Sequence, residues 1–150
     1  MANLKTYNLK NVSLIVGIYA ISGYGEDGAI DIEWGADLGD SVVGLDGEVV
    51  FSPSNDPRAI MTVKVIQTSR AYRDLGSLVV AQKAAMESGL PLPGVVVTMI
   101  DPRTGDEIHA AQGVFLAQPA PSMGKTAGTR EFKILLPDGA NTVKHGLLNL

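Results

Sequence analysis

The stretch Gly44-Leu45-Asp46-Gly47-Glu48-Val49-Val50-Phe51-Ser52, with Asn55-Asp56-Pro57-Arg58 and then Ala59-Ile60-Met61-Thr62-Val63-Lys64-Val65-Ile66-Gln67, decides the fold class. It reads as a glycine turn, a short strand, a polar turn and a longer strand in which apolar and polar residues alternate. Gly44 and Gly47 can take positive φ, which tight connections between strands often require. Pro57 fixes φ and lacks an N–H, so it suits the turn and would interrupt a ladder. Thr68-Ser69 then leads into a helix.

Working outward, Ile30, Ile32 and Trp34 alternate with Asp31 and Glu33, the pattern of a half-buried strand with its carboxylates outward. Val12-Ser13-Leu14-Ile15-Val16 reads as a first strand, Ile21 to Gly28 as a loop, and Met1 to Lys10 as a polar arm. From Ser69 to Ser88, helical spacing of Tyr72, Leu75, Leu78, Val79, Gln82 and Met86 predicts one helix, with Ser69 or Thr68 as its cap and Gly89 just past its end. Gly76 weakens that helix by roughly 1 kcal/mol relative to Ala, which points to close packing there or to a fault line. Ala81, Ala84 and Ala85 point to a helix lying close against a sheet. Val95 to Ile100 and Glu107 to Gln118 form a hairpin through Asp101-Pro102-Arg103-Thr104-Gly105, kinked at Gly113. Thr129 to Leu136 is a last strand, with Phe132, Ile134 and Leu136 on one face and Glu131 and Lys133 on the other. Leu147-Leu148-Asn149-Leu150 closes the chain as a docking tail. The expectation is a single mainly β domain over 1–150: an antiparallel sandwich or barrel of six to eight strands with one flanking helix at about 70–88.

Composition narrows the function. Aromatics are 5% of the 150 residues and the apolar fraction is 45%, so aliphatic side chains fill the core. Seventeen glycines and eight prolines favour short strands and many turns. There is no cysteine, hence neither disulfide nor thiolate chemistry. No signal peptide or membrane span is legible, so the expectation is a soluble product made in the cytoplasm without membrane insertion.

Catalytic and metal constellations are not legible either. Gly124-Lys125-Thr126 has Pro119 where a phosphate-binding loop needs its first glycine. His109 and His145 lack a second ligand at metal-site spacing. Serines occur without a nucleophile elbow, and no nucleophile or base stands near Asp31 and Glu33. The expectation is a non-enzymatic protein without cofactor.

Charge is segregated. Residues 11–57 hold nine of the sixteen acidic residues and none of the twelve Lys and Arg, so the remainder has seven acidic and twelve basic residues. Two explanations stand side by side: chance, or an acidic region of one subunit facing a basic region of the next. The Gly35–Gly47 segment poses a similar choice. It is a long, glycine-rich connection in which Leu38, Val42 and Val43 either tuck into the core or invite a partner.

From about Asp27 to Leu78 the sequence resembles tail tube proteins of contractile-tailed bacteriophages. The likeness lies in the Gly44-Leu45-Asp46-Gly47-Glu48-Val49 opening, the polar turn at Asp56, the alternating strand, and Gln67-Thr68-Ser69 before a helix. The tube protein of type VI secretion machinery is similar in fold. This resemblance implies homohexameric rings stacked into a hollow tube inside a sheath, with sheath, baseplate and tail terminator proteins as partners. DNA would pass through without sequence-specific binding, and the protein would belong to the virion. It also implies that residues 35–47 extend onto the neighbouring ring, with Asp37, Leu38, Asp40, Val42, Val43 and Asp46 in that contact. Asp31 and Glu33 are expected in a lumen that is acidic or at least not basic, since a lysine-lined wall would hold phosphates at each contact. The rivals are a tube protein of an injection or secretion machine and a small β-barrel ligand-binding module.

Overall fold

A computed structural model describes residues 12–22, 24, 29–92 and 94–144. The arm at 1–10, the tail at 147–150, His145 and most of the 21–28 loop lie outside these residues. The strands are β1 (Ser13–Val16), β2 (Tyr19–Ala20), β3 (Ile30–Trp34), β4 (Gly39–Val43), β5 (Val49–Pro53), β6 (Ala59–Ile66), β7 (Val95–Ile100), β8 (Glu107–Ala117), β9 (Thr129–Leu136) and β10 (Val143–Lys144). The helices are α1 (Arg70–Glu87) and the single turn α2 (Gly139–Thr142).

Seven strands form one hydrogen-bonded path, β2-β1-β7-β8-β9-β6-β3, and β10 beside β8 makes the sheet eight-stranded. All pairings are antiparallel. The path folds over because β8 serves two partners: its first half pairs with β7 and its second half with β9. Register shifts flank this changeover, between Val95 and Val97 on the β7 side and between Phe115 and Ala117 on the β9 side, as bulges do where a sheet bends. Gly113 sits at this corner. A Cβ there would lie 3.0 Å from side-chain carbons of both Val97 and Ile134, so a side chain would push the two halves apart.

The core fills the space between the halves. Leu14, Val16, Val97 and Ile108 come from one half, and Met61, Val63, Val65, Phe132, Ile134 and Leu136 from the other. Helix α1 closes the side with Ala71, Leu75 and Val79. Its ends are specified locally. Tyr72 N–H donates to Ser69 Oγ at 3.3 Å, an N-cap. Beyond Ser88, Gly89 takes φ 66°, with Gly89 N–H to Met86 O and Leu90 N–H to Ala85 O forming a Schellman ending.

Two expectations are corrected here, for the alanines and for the Gly35–Gly47 segment, and the choice at Gly76 is narrowed. Ala81 and Ala84 are exposed, because the buried stripe follows Ala71, Leu75 and Val79. Gly76 is not closely packed: a Cβ there would meet nothing within 4 Å. The Gly35–Gly47 segment is not a structureless loop, since Gly39–Val43 forms β4 and pairs with β5. The described strands number ten, above the expected six to eight, because this hairpin and the two-residue β2 and β10 add to the main strands.

Candidate functional site

The feature that stands apart is the β4–β5 hairpin, a two-stranded sheet with no strand partner among the described residues. Its turn is built by Gly44 N–H to Glu48 O at 2.7 Å, Gly47 N–H to Gly44 O at 3.0 Å, and Gly47 at φ 87°. Gly44, in contrast to Gly47, has no positive φ. Val42 faces Val50 across the ribbon, and Val43 faces Val49. These two pairs lie on opposite faces, because side chains alternate along a strand. Both faces therefore present apolar surface: Val42 and Val43 are each 65% exposed, with Val49, Val50 and Phe51 similarly open. Leu38 at the base and Leu45 at the tip are almost wholly in solvent. The choice left open by the sequence is settled: Val42 and Val43 do not tuck into the core. Asp37, Asp40 and Asp46 lie along the same projection and are exposed, so the structure gathers all six residues expected in the contact onto one protrusion.

The hairpin's base is stiffened by a polar clasp. Arg58 donates to Asp56 through Nε at 2.8 Å and a terminal nitrogen at 2.7 Å, while Arg58 N–H reaches Asp56 Oδ1 at 3.1 Å. These bonds hold the Asp56 carboxyl down at about pKa 2. Ser54 N–H donates to Leu38 O, joining the two legs at the root, and Gly35 N–H donates to Arg58 O where the legs meet β3 and β6. A cleft of about 480 Å³ opens at this root, between Trp34, Leu38, Asn55, Pro57 and Val143.

Asp31 and Glu33 are both exposed on β3, on the outer face of the β3-β6-β9 layer. Asp31 lies 3.9 Å from Lys64 Nζ. Register places Thr62, Lys64, Glu131 and Lys133 on that face, so three carboxylates stand against two lysines. Trp34, expected to share the apolar side with Ile30 and Ile32, is 42% exposed where β3 gives way to the hairpin.

Two polar residues have buried or bridging roles that the sequence reading does not assign. Arg130 shares the inward face of β9 with Phe132 and Ile134 and is only 6% exposed. Its guanidinium donates to Ser122 O and lies 5.7 Å from the Tyr72 ring centroid. Its Nε finds no partner among the described residues. The signal was available: position 130 has the parity of Phe132 and Ile134. Gln82, whose spacing places it on the helix face with Leu75 and Met86, uses its amide to extend the sheet. Nε2 donates to Phe115 O at 2.9 Å, and Phe115 N–H donates to Oε1 at 2.8 Å, replacing a strand partner where β7 has ended.

Among the described residues no group of three His, Cys, Asp or Glu could hold a metal, and no helix is long and apolar enough to cross a membrane. His109 Nε2 is exposed and 3.4 Å from Glu107.

No protein-family model and no curated protein matches the sequence. Solved structures do match in shape. A chain of the anti-feeding prophage cap, the tube-terminating cap, superposes with TM-score 0.57 at 8% identity, covering 97% of this chain and 93% of that one. The sheath/tube terminator of an extracellular contractile injection system gives 0.56 at 9% identity, covering 96% and 99%. A chain from the virion of a native gene transfer agent particle gives 0.57 at 11% identity, covering 93% and 98%. The mainly β, antiparallel, single-flanking-helix architecture expected from the sequence is thus present, and the chain has the fold of these tube-terminating and virion proteins.

Proposed function

We propose that this protein is a structural subunit of a contractile tail or injection machine, forming homohexameric rings that stack as part of its tube. The observation that carries this reading is the likeness in fold, over nearly the whole chain, to a tube-terminating cap and a sheath/tube terminator. The β4–β5 hairpin supports it independently. A two-stranded ribbon is marginal alone in water, and one with apolar side chains on both faces is best explained by contact with another subunit. Burying Leu38, Val42 and Val43 there would contribute on the order of 1.5–3 kcal/mol each. Asp37, Asp40 and Asp46 would meet the basic remainder of the neighbour, which accounts for the segregated charge. Sheath, baseplate and terminator proteins are the further partners, and the particle is the place of action.

In this arrangement the outer face of the β3-β6-β9 layer lines the lumen. Asp31, Glu33 and Glu131 outnumber Lys64 and Lys133 there, which keeps the wall from gripping phosphates as DNA slides past. Screening over about 8 Å at physiological salt leaves that repulsion short-ranged.

A second reading is favoured by what the two neighbours are: the chain forms a single terminal ring and does not propagate. Electron microscopy and light scattering of the concentrated protein test both readings. Tubes support the stacking subunit, and isolated rings support the terminal one. A protein that stays monomeric at millimolar concentration overturns the proposal.

A further inference from the structure

The hairpin has a complementary site elsewhere on the same molecule. It leaves the body where Trp34 pairs with Ala59 and Ala59 with Leu136. The β6–β9 ladder then runs eight residue pairs to Ile66 and Thr129, about 23 Å at the usual rise per residue. Beside the middle of this ladder a groove of about 440 Å³ lies between α1 and residues 118–121, lined by Tyr72, Gly76, Val80, Gln118, Pro119 and Phe132, the last of which pairs with Val63. Gly76 contributes no side chain, which leaves the groove open along the helix.

The groove has the charge that the hairpin lacks. Arg73 is on its lining and exposed, and no carboxylate lines it. Behind Tyr72 and Phe132 lies Arg130, buried, with no carboxylate partner and an unbonded Nε among the described residues. A cation held away from water is screened less than a surface one. Arg130 is not on the lining itself, but its guanidinium lies 5.7 Å from the centroid of the Tyr72 ring, which is, so its charge stands close behind the groove. The hairpin tip offers the converse: apolar Leu45 flanked by Asp46 and Glu48, all exposed.

We infer that the α1/118–121 groove receives the β4–β5 hairpin of a second copy, Leu45 entering the apolar floor while Asp46 and Glu48 meet the field of Arg73 and Arg130. The inference rests on the stacking reading above and names the receptor for it. Projection and receptor are different surfaces of the same chain, so the contact is heterologous and can propagate from copy to copy.

The natural absence of cysteine gives a clean test. In the full-length protein, Leu45→Cys and Val80→Cys are made singly and together. Disulfides form when Cα atoms approach to about 4.4–6.8 Å. Under mild oxidation the double variant is expected to give a ladder of linked dimers, trimers and higher species, and mixed single variants a heterodimer. Adding Arg73→Glu should cut linking at least tenfold, and Asp46→Lys with Glu48→Lys should restore it. Light scattering is recorded on the unmodified protein in parallel. Assembly without a ladder, and indifferent to Arg73→Glu, overturns the groove while leaving the stacking subunit in place. No assembly by the unmodified protein overturns both.

Discussion

The β6–β9 ladder and the β4–β5 hairpin are built by the same rules and end in opposite environments. Both are antiparallel with alternating side chains. In β6 every second residue from Ala59 to Val65 is fully buried, and in β9 Phe132, Ile134 and Leu136 are equally enclosed. In the hairpin every paired residue except Gly39 is exposed. Local pairing needs only a suitable turn and matching register; burial needs a second layer, which the body has and the hairpin lacks. The body is thus organised for stability within one subunit. The hairpin's apolar residues contribute little until something covers them.

That contrast can be broken most forcefully in the core. Phe132 is buried against Tyr72 and Phe115, with ring centroids 6.1 and 6.2 Å away. Phe132→Ala should cost about 3–5 kcal/mol, read as a lower urea midpoint. If the loss is under about 1 kcal/mol, the described packing is wrong. Next in size is Gln82→Ala, which strands the N–H and C=O of Phe115 at the edge of β8. A loss of about 2 kcal/mol is expected, with faster hydrogen exchange at the Phe115 amide.

Gly76→Ala works in the other direction. With nothing near the new Cβ, helix propensity should raise stability by up to about 1 kcal/mol, measured as a rise in thermal midpoint. A fall would mean that the helix is more tightly packed at Gly76 than the structure has it. The smallest effect on folding is expected where the largest effect on assembly lies. Val42→Asp with Val43→Asp should change monomer stability by no more than about 0.5 kcal/mol, since both sites are exposed. The same variant should fail to form tubes in electron micrographs. Tubes of normal length would remove the hairpin from the contact, and a large loss of stability would mean that it is not independent of the core.

Much of the body was legible because its signals are local. The alternation in Ile30–Trp34, Ala59–Ile66 and Thr129–Leu136 sets strand faces without reference to the rest of the chain. Ser69 and Gly89 mark the helix ends through bonds spanning three to five residues. Gly105, at φ 79° with its N–H on Asp101 O, ends the turn that its sequence announces.

By itself, then, the sequence determined the β class, the single long helix, most turns and the separation of acidic from basic segments, since each depends on neighbours in the chain. Tertiary structure decided the rest. It made a strand of Gly39–Val43, because Val42 and Val43 pair across a turn with Val50 and Val49. It put Gln82 against Phe115, 33 residues away, because β7 ends before β8 does. It enclosed Arg130 and set the Arg73 groove beside the ladder and apart from the hairpin, because both follow from how the β6–β9 ladder is registered and covered. Such long-range placement depends on which strand edges meet and which layer covers them, and no local pattern of residues carries that information.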